Sequence, residues 1–152
     1  MAEYLTRDSV ENVALNTSIP FLDSIPCPNG CVVHNSGSGI FILRGNAAGT
    51  NRFTRYELEF TGNISIPTGG EVTPIATAIV ISGESQQGSR SITTPAAVDQ
   101  YGNVTSRATI DVPKCCCITI SVEYVSGVTD GTTTPTPSIN VIDGSLSIKR
   151  IA

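Results

Sequence analysis

The chain has 152 residues, enough for one ordinary domain with a sizeable core and no obligatory metal or disulfide staple. Charged residues make up 14% and the formal net charge is −4 at pH 7, so no basic field is present to hold nucleic acid or an anionic membrane. Fourteen Gly and nine Pro among many Thr, Ser, Val and Ile, with no Trp and one Met, describe an all-β chain of short strands and tight turns.

Residues 1–9 are polar and read as an N-terminal arm, either frayed or anchored on a larger particle, and residues 10–152 as the domain. The opening MAEYLTRDSVENVALNTS has charges and no apolar centre like that of a secretory signal, and no later run is long enough to cross a bilayer. The expectation is therefore a protein made in a reducing cytoplasm. Residues 10–22 carry a weak strand pattern ending at Pro20, which suits an edge because Pro removes a ladder donor. Cys27-Pro28-Asn29-Gly30-Cys31 contains an Asn-Gly pair fit for a tight hairpin turn. Ser36-Gly37-Ser38-Gly39 is a second turn, and residues 40–43 form a short apolar strand closed by Arg44-Gly45.

The stretch from 55 to 82 is the most informative. Tyr56, Leu58, Phe60, Ile64 and Ile66 alternate with Arg55, Glu57, Glu59, Thr61, Asn63 and Ser65, the period of a strand with one wet face. Pro67-Thr68-Gly69-Gly70 then turns the chain. Residues 75–81 are apolar at nearly every position, so both faces of that strand must be covered, one of them by a second chain or an overlying loop. This surplus of apolar surface points to an assembly protein. Residues 83–90 read as a polar loop, residues 92–98 as a short strand interrupted by Pro95, and Tyr101-Gly102-Asn103 as a turn. Val104, Ala108, Ile110 and Val112 alternate with polar residues, as do Ile118, Ile120, Val122 and Tyr124 after Pro113-Lys114, which predicts an antiparallel hairpin. Residues 126–137 are a low-complexity loop expected to project without packing a core. Ile139, Val141, Leu146, Ile148 and Ile151 make the last strand, with a bulge or kink at Asp143-Gly144.

About eight strands at this spacing fit a sandwich or barrel, and their uneven lengths favour a jelly roll over a meander. The segments GSGIFILRG, RYELEFTGNISIPTGGEVTPIATAIVISGE, TTPAAVDQYGNVTSRATIDVP and CCCITISVEYVS, with the closing LSIKRIA, resemble short proteins encoded by phages and prophages of gut bacteria, especially Firmicutes. That group is similar to the trimeric TNF-like jelly rolls, which also cap collagen-like proteins on spore surfaces. The resemblance spans residues 10–152. It implies an antiparallel β-sandwich, a homotrimer, and a non-enzymatic structural role on the virion surface as a capsid decoration or head fibre. Its partner would be the major capsid protein or another virion protein. On that reading Ile79, Ile81, Ile120 and Val122 are candidates for the trimer interface, and Glu3, Tyr4, Leu5 and Arg7 for anchoring to the particle. The chain has no Gly-X-Y stalk, which disfavours the spore-surface version. The alternative is a surface head whose loops at 83–90 and 126–137 bind a host glycan or receptor. Those loops are small, polar and nearly free of aromatic residues, which suits at most weak glycan binding.

Catalytic chemistry is thin and no cofactor is expected. His34 is the one His and has no motif around it, and Glu57 and Glu59 share a strand face as solvated carboxylates commonly do. Gly37 and Gly39 are turn glycines, since no Lys-Ser/Thr and no helix follows them. Cys27, Cys31, Cys115, Cys116 and Cys117 form a possible disulfide or thiol cluster. On a strand Cys115 and Cys117 would share a side and Cys116 would oppose them. Free thiols rank first, then disulfides formed in an oxidising medium, then zinc held by Cys31, His34 and Cys115 or Cys117. The odd count leaves at least one thiol unpaired within the chain or linked to another chain. The sequons at Asn16, Asn63 and Asn103 reflect a Thr/Ser-rich β sequence.

Overall fold

Alternation sets the longest strands, and the core they enclose sets the architecture. A computed structural model describes residues 2–6, 9–25, 31–46 and 50–151, with the backbone alone for 23–25. Among the described residues twelve strands occur: β1 (Ala2–Leu5), β2 (Glu11–Ala14), β3 (Asp23–Ile25), β4 (Val32–His34), β5 (Ile40–Arg44), β6 (Phe53–Ser65), β7 (Ile75–Ile81), β8 (Glu84–Ser85), β9 (Ser91–Thr93), β10 (Gly102–Pro113), β11 (Cys117–Ser126) and β12 (Ser138–Arg150). They form two antiparallel sheets. The first runs β10-β6-β12-β1-β3, with β2 also on β12; the second runs β4-β5-β11-β7-β8, with β9 also on β7.

The even positions of β6, Tyr56, Leu58, Phe60 and Ile64, are buried as their period requires. With Val104, Ile110, Val112, Val141, Leu146 and Ile148 they make the inner face of the first sheet, packed on Phe41, Leu43, Ile75, Ile79, Ile120, Val122 and Tyr124 of the second. Phe21 meets Phe41 and Phe60 edge to face, with ring centroids 5.5 and 6.2 Å apart. A polar bridge crosses the sandwich where Thr77 Oγ1 and Ser106 Oγ lie 3.0 Å apart in full burial.

The turn after β6 forms as read, with Gly70 N–H donating to the Pro67 carbonyl (3.0 Å) and Gly69 at φ +92°. It does not join a strand pair, because β6 and β7 lie in opposite sheets. The expected hairpin of residues 104–124 is corrected for the same reason: β10 pairs with β6, and β11 pairs with β5 and β7. An alternating pattern says that a strand has one apolar face, and that face is satisfied equally beside a neighbour or across the core from it. The bulge is present, as the β12 register shifts between Ile142 and Ser145 with Asp143 at φ 53°. Gly144 N–H donates there to Thr6 Oγ1 (2.9 Å), and a side chain at Gly144 would meet Thr6 Cγ2 at 2.7 Å.

Three segments differ from the sequence reading. The N-terminal arm is not separate: β1 lies between β12 and β3, with Ala2 and Tyr4 buried. Truncation there removes a sheet strand. Four residues of alternation are too few for a periodicity argument, which is why the strand was not legible. Residues 10–22 give β2, then cross between the sheets at Asn16 (φ 61°) and bond the edge of β11, with Ile19 N–H to the Val122 carbonyl at 2.8 Å. Gly102 and Asn103 already belong to β10, and the turn sits earlier, at Val98 and Asp99.

Candidate functional site

The four candidate interface residues lie elsewhere than expected. Ile79, Ile120 and Val122 are exposed by 2% or less inside the chain's own core, and Ile81 is half-buried against it. They face inward because Val122 pairs with Ile79 and Ile120 with Ile81, each pair sharing the inner face. The outer face of β7 is covered too, but by the same chain. Ala76, Ala78 and Val125 form a small buried cluster there. Arg90, on the far side of β7 from β11, reaches its guanidinium to the Ser126 carbonyl (3.4 Å) across the two alanines, whose short side chains leave it room. Ser89, buried beside it, accepts the Ile79 N–H (2.8 Å) and donates to the Gln86 carbonyl (2.6 Å). The end of the predicted polar loop, Ser89 and Arg90, therefore packs against β7, while residues 83–85, 87 and 88 stay exposed.

The anchoring candidates are likewise redistributed. Tyr4 packs edge-on against Phe41 (4.6 Å) and His34 (5.0 Å) and belongs to the core. Glu3 Oε1 accepts from Ser145 Oγ (3.2 Å) and Leu5 is 37% exposed, while Arg7 lies outside the described residues. His34 stacks on Phe41 at 4.3 Å and its Nε2–H donates to the Ser38 carbonyl (2.7 Å), so this edge-strand ring is held by structure. Glu57 and Glu59 lie on the outer face of the first sheet, where Glu59 pairs with Arg107 at 3.2 Å and Glu57 sits in register with Thr109 and Lys149.

The described cysteines gather at one pole of the sandwich. Cys31 is disulfide-bonded, and Cys27 lies outside the described residues. Cys115, Cys116 and Cys117 are free and exposed at the corner between β10 and β11. Cys115 sits in that turn at φ 63°, so the strand alternation expected for the three applies only from Cys117 onward. The zinc reading is corrected: Cys31 is committed to its disulfide, and among the described residues no three His, Cys, Asp or Glu are grouped to hold a metal. The pole is tied to the core by Tyr56, whose buried hydroxyl donates to the Arg44 carbonyl (2.5 Å) with the Cys31 carbonyl at 3.3 Å; burial pushes its pKa up. Beside it Arg55 makes a two-pronged contact with Asp111 (2.7 and 3.0 Å) and lies over the Phe53 ring. The hydrogen bond from Arg55 holds the Asp111 carboxyl below its usual range.

The opposite pole carries the loop at 127–137. Its base packs, contrary to the expectation, with Gly127 and Thr136 buried, Val128 half-buried and Tyr124 donating to the Thr136 carbonyl at 2.6 Å. Burial pushes the Tyr124 pKa up to about 12. Its exposed tip is organised by Asp130, which accepts from Thr132 N–H, Thr133 N–H (both 2.9 Å) and Thr133 Oγ1 (2.6 Å). These bonds, led by that from the Thr133 hydroxyl, lower the Asp130 pKa to about 2. The sequence signal for it was available, since Asp before Gly-Thr-Thr is an Asx-turn pattern. Among the described residues, one surface depression of about 200 Å³ is lined by Ile40, Val80, Thr119 and Glu123 and another of about 210 Å³ by Phe21, Leu22 and Glu11.

No family model and no curated protein sequence matches the chain. Solved structures do resemble it. The globular domain of a zebrafish complement 1qA protein aligns with TM-score 0.64 at 12% identity, over 99% of this chain and 97% of that one. The Eiger TNF of S. frugiperda aligns with TM-score 0.62 at 9% identity, over 100% and 92%. Murine APRIL aligns with TM-score 0.52 at 11% identity, over 96% and 97%. At these identities the likeness is one of fold, and it establishes an all-β antiparallel sandwich of the TNF/C1q-like jelly-roll type across the whole chain.

Proposed function

We propose that this chain is a non-enzymatic structural head that works as a homotrimer on a particle surface, as the capsid decoration or head-fibre protein of a phage virion. The observation that carries the reading is the end-to-end match to TNF/C1q-like heads, which accounts for essentially every residue by one head domain. The phage assignment rests on the phrase similarity described above. The non-enzymatic reading is supported by the employment of His34, Glu57 and Glu59 in stacking, pairing and a solvated sheet face. With Ile79, Ile120 and Val122 internal, the subunit contact is drawn from apolar side chains that the lone chain leaves in water, among them Ile40, 54% exposed on the outer face of the second sheet. The Cys31 disulfide suits a protein that works in an oxidising setting.

Native mass measurement of the purified chain at micromolar concentration is expected to return a trimer, and a monomer overturns the assembly. Microscopy of particles with and without the protein then tests the virion assignment, which fails if the particles are indistinguishable. A second reading, a head that binds a host glycan, is favoured by one feature, the Asp130-ordered loop tip that is rigid and polar before any ligand arrives. A glycan array without hits removes it.

A further inference from the structure

We propose that the Cys115-Cys116-Cys117 corner is a covalent cross-linking site, at which copies of this chain are joined by interchain disulfides once the protein meets an oxidant. The three thiols are free and exposed, on consecutive residues. Adjacent Cα atoms are about 3.8 Å apart, below the roughly 4.4–6.8 Å that a disulfide spans, so neither Cys115 with Cys116 nor Cys116 with Cys117 closes without distortion. Closing Cys115 onto Cys117 would still leave Cys116. The nearest cysteine across the sheet is already committed: Arg44 pairs with Cys117 and donates its N–H to the Cys31 carbonyl (2.9 Å), and Cys31 is disulfide-bonded. At least one thiol per chain therefore has no partner within its own chain and is left to pair with another molecule.

The corner is also built to keep these side chains outside. Lys114 N–H donates to the Arg52 carbonyl (2.8 Å), Cys116 N–H to the Pro113 carbonyl (3.0 Å), and Gly45 N–H to the Cys116 carbonyl (2.8 Å). Gly45 lies so close to Pro113 that a side chain there would stand 2.0 Å from the Pro113 oxygen, which locks the end of β5 under the turn. With its backbone fixed from both sides, the turn cannot fold its thiols inward. Cys115 holds a left-handed conformation, φ 63°, that is strained for an L-residue and that Gly or Asn would adopt more cheaply. The turn does not explain a Cys there, whereas a reactive outward side chain does. Because the corner ends the strands and lies on neither sheet face, it stays reachable whichever faces pack in an oligomer. With more than one thiol per chain, the product is a series of linked chains and not only a pair.

The oxidant is a small disulfide such as oxidised glutathione. A Cys116 thiolate attacks one of its sulfurs, forming a mixed disulfide and releasing one reduced glutathione; a corner thiolate of a second chain attacks the protein sulfur, forming the interchain S–S bond and releasing the other. Two thiols are oxidised and one disulfide is reduced.

Purified full-length protein incubated with oxidised glutathione is expected to give dimer, trimer and higher bands on a denaturing gel without reductant, all collapsing to monomer with dithiothreitol. Peptide mapping should place the links within residues 115–117. The Cys115→Ser, Cys116→Ser, Cys117→Ser triple variant should lose the ladder while keeping its native mass, and iodoacetamide applied to the native wild-type protein before the oxidant should abolish it without any substitution. A monomer carrying only glutathione adducts, a monomer closed internally between Cys115 and Cys117, or a ladder that survives alkylation overturns the proposal. Native mass in the absence of oxidant reports trimerisation separately, so the two readings fail independently.

Discussion

β6 and β7 follow one another in the chain and bury their side chains by opposite rules. β6 has an inner face of Tyr56, Leu58, Phe60 and Ile64 and an outer face that carries Arg55, Glu57 and Glu59 into water, where Arg55 and Glu59 find Asp111 and Arg107 across the register. β7 is buried on both faces from Ile75 to Val80. An apolar run reports that a surface is covered and is silent on what covers it. In β7 the clue lay in side-chain size. Ala76, Ala78 and Val80 are the outer residues, and the two alanines leave a shallow trough beside which one long side chain from the same chain, Arg90, reaches Ser126. A face meant for another subunit would more naturally present larger anchors.

The comparison breaks first on the inner faces, where both strands feed one core. Phe60→Ala is expected to cost about 3–5 kcal/mol and Ile79→Ala about 2–5 kcal/mol, read as lowered urea midpoints at unchanged slope. If Ile79→Ala leaves stability intact and dissolves an oligomer instead, the inward placement of β7 is wrong. Next in size is the outer trough. Ala78→Leu overfills the space under Arg90 and is expected to cost about 1–3 kcal/mol, whereas an Ala78 open to solvent would accept Leu with no loss. Smaller again is Arg90→Ala, which uncovers the alanines and removes a charged donor from the Ser126 carbonyl, for about 1 kcal/mol. Its counterpart on the wet face of β6, Glu57→Gln, should stay within about 0.5 kcal/mol of wild type. Equal losses from the two would erase the distinction between a sealed face and a solvated one.

The smallest effect is local to the far loop. Asp130 titrates at about 2 when folded against 3.8 for the free side chain, so its bonds to Thr132 and Thr133 are complete above 3.8 and are lost as pH falls through 2. A carboxyl carbon titration by NMR should show that low midpoint with the strands unperturbed. A midpoint near 3.8 means that the tip is not organised by Asp130.

Much of the sandwich was legible because period is a local property. The alternation of β6, the Pro67–Gly70 turn and the Asp143-Gly144 bulge each need only a few neighbouring residues, and each stands where it was read. The covalent corner was half legible: three consecutive cysteines are visible in the sequence, but their exposure and the left-handed turn at Cys115 depend on Gly45, Pro113 and Arg52 arriving from other segments.

The sequence by itself determined the class, an all-β chain whose strands have one apolar face, since the backbone fixes side chains two residues apart to one side. Only the tertiary structure decided which sheet each strand joined, that residues 2–5 complete the first sheet, and that Arg90 packs against β7. Those choices depend on contacts between residues far apart in the chain, and the energy of covering an apolar face is nearly the same whichever segment supplies the cover.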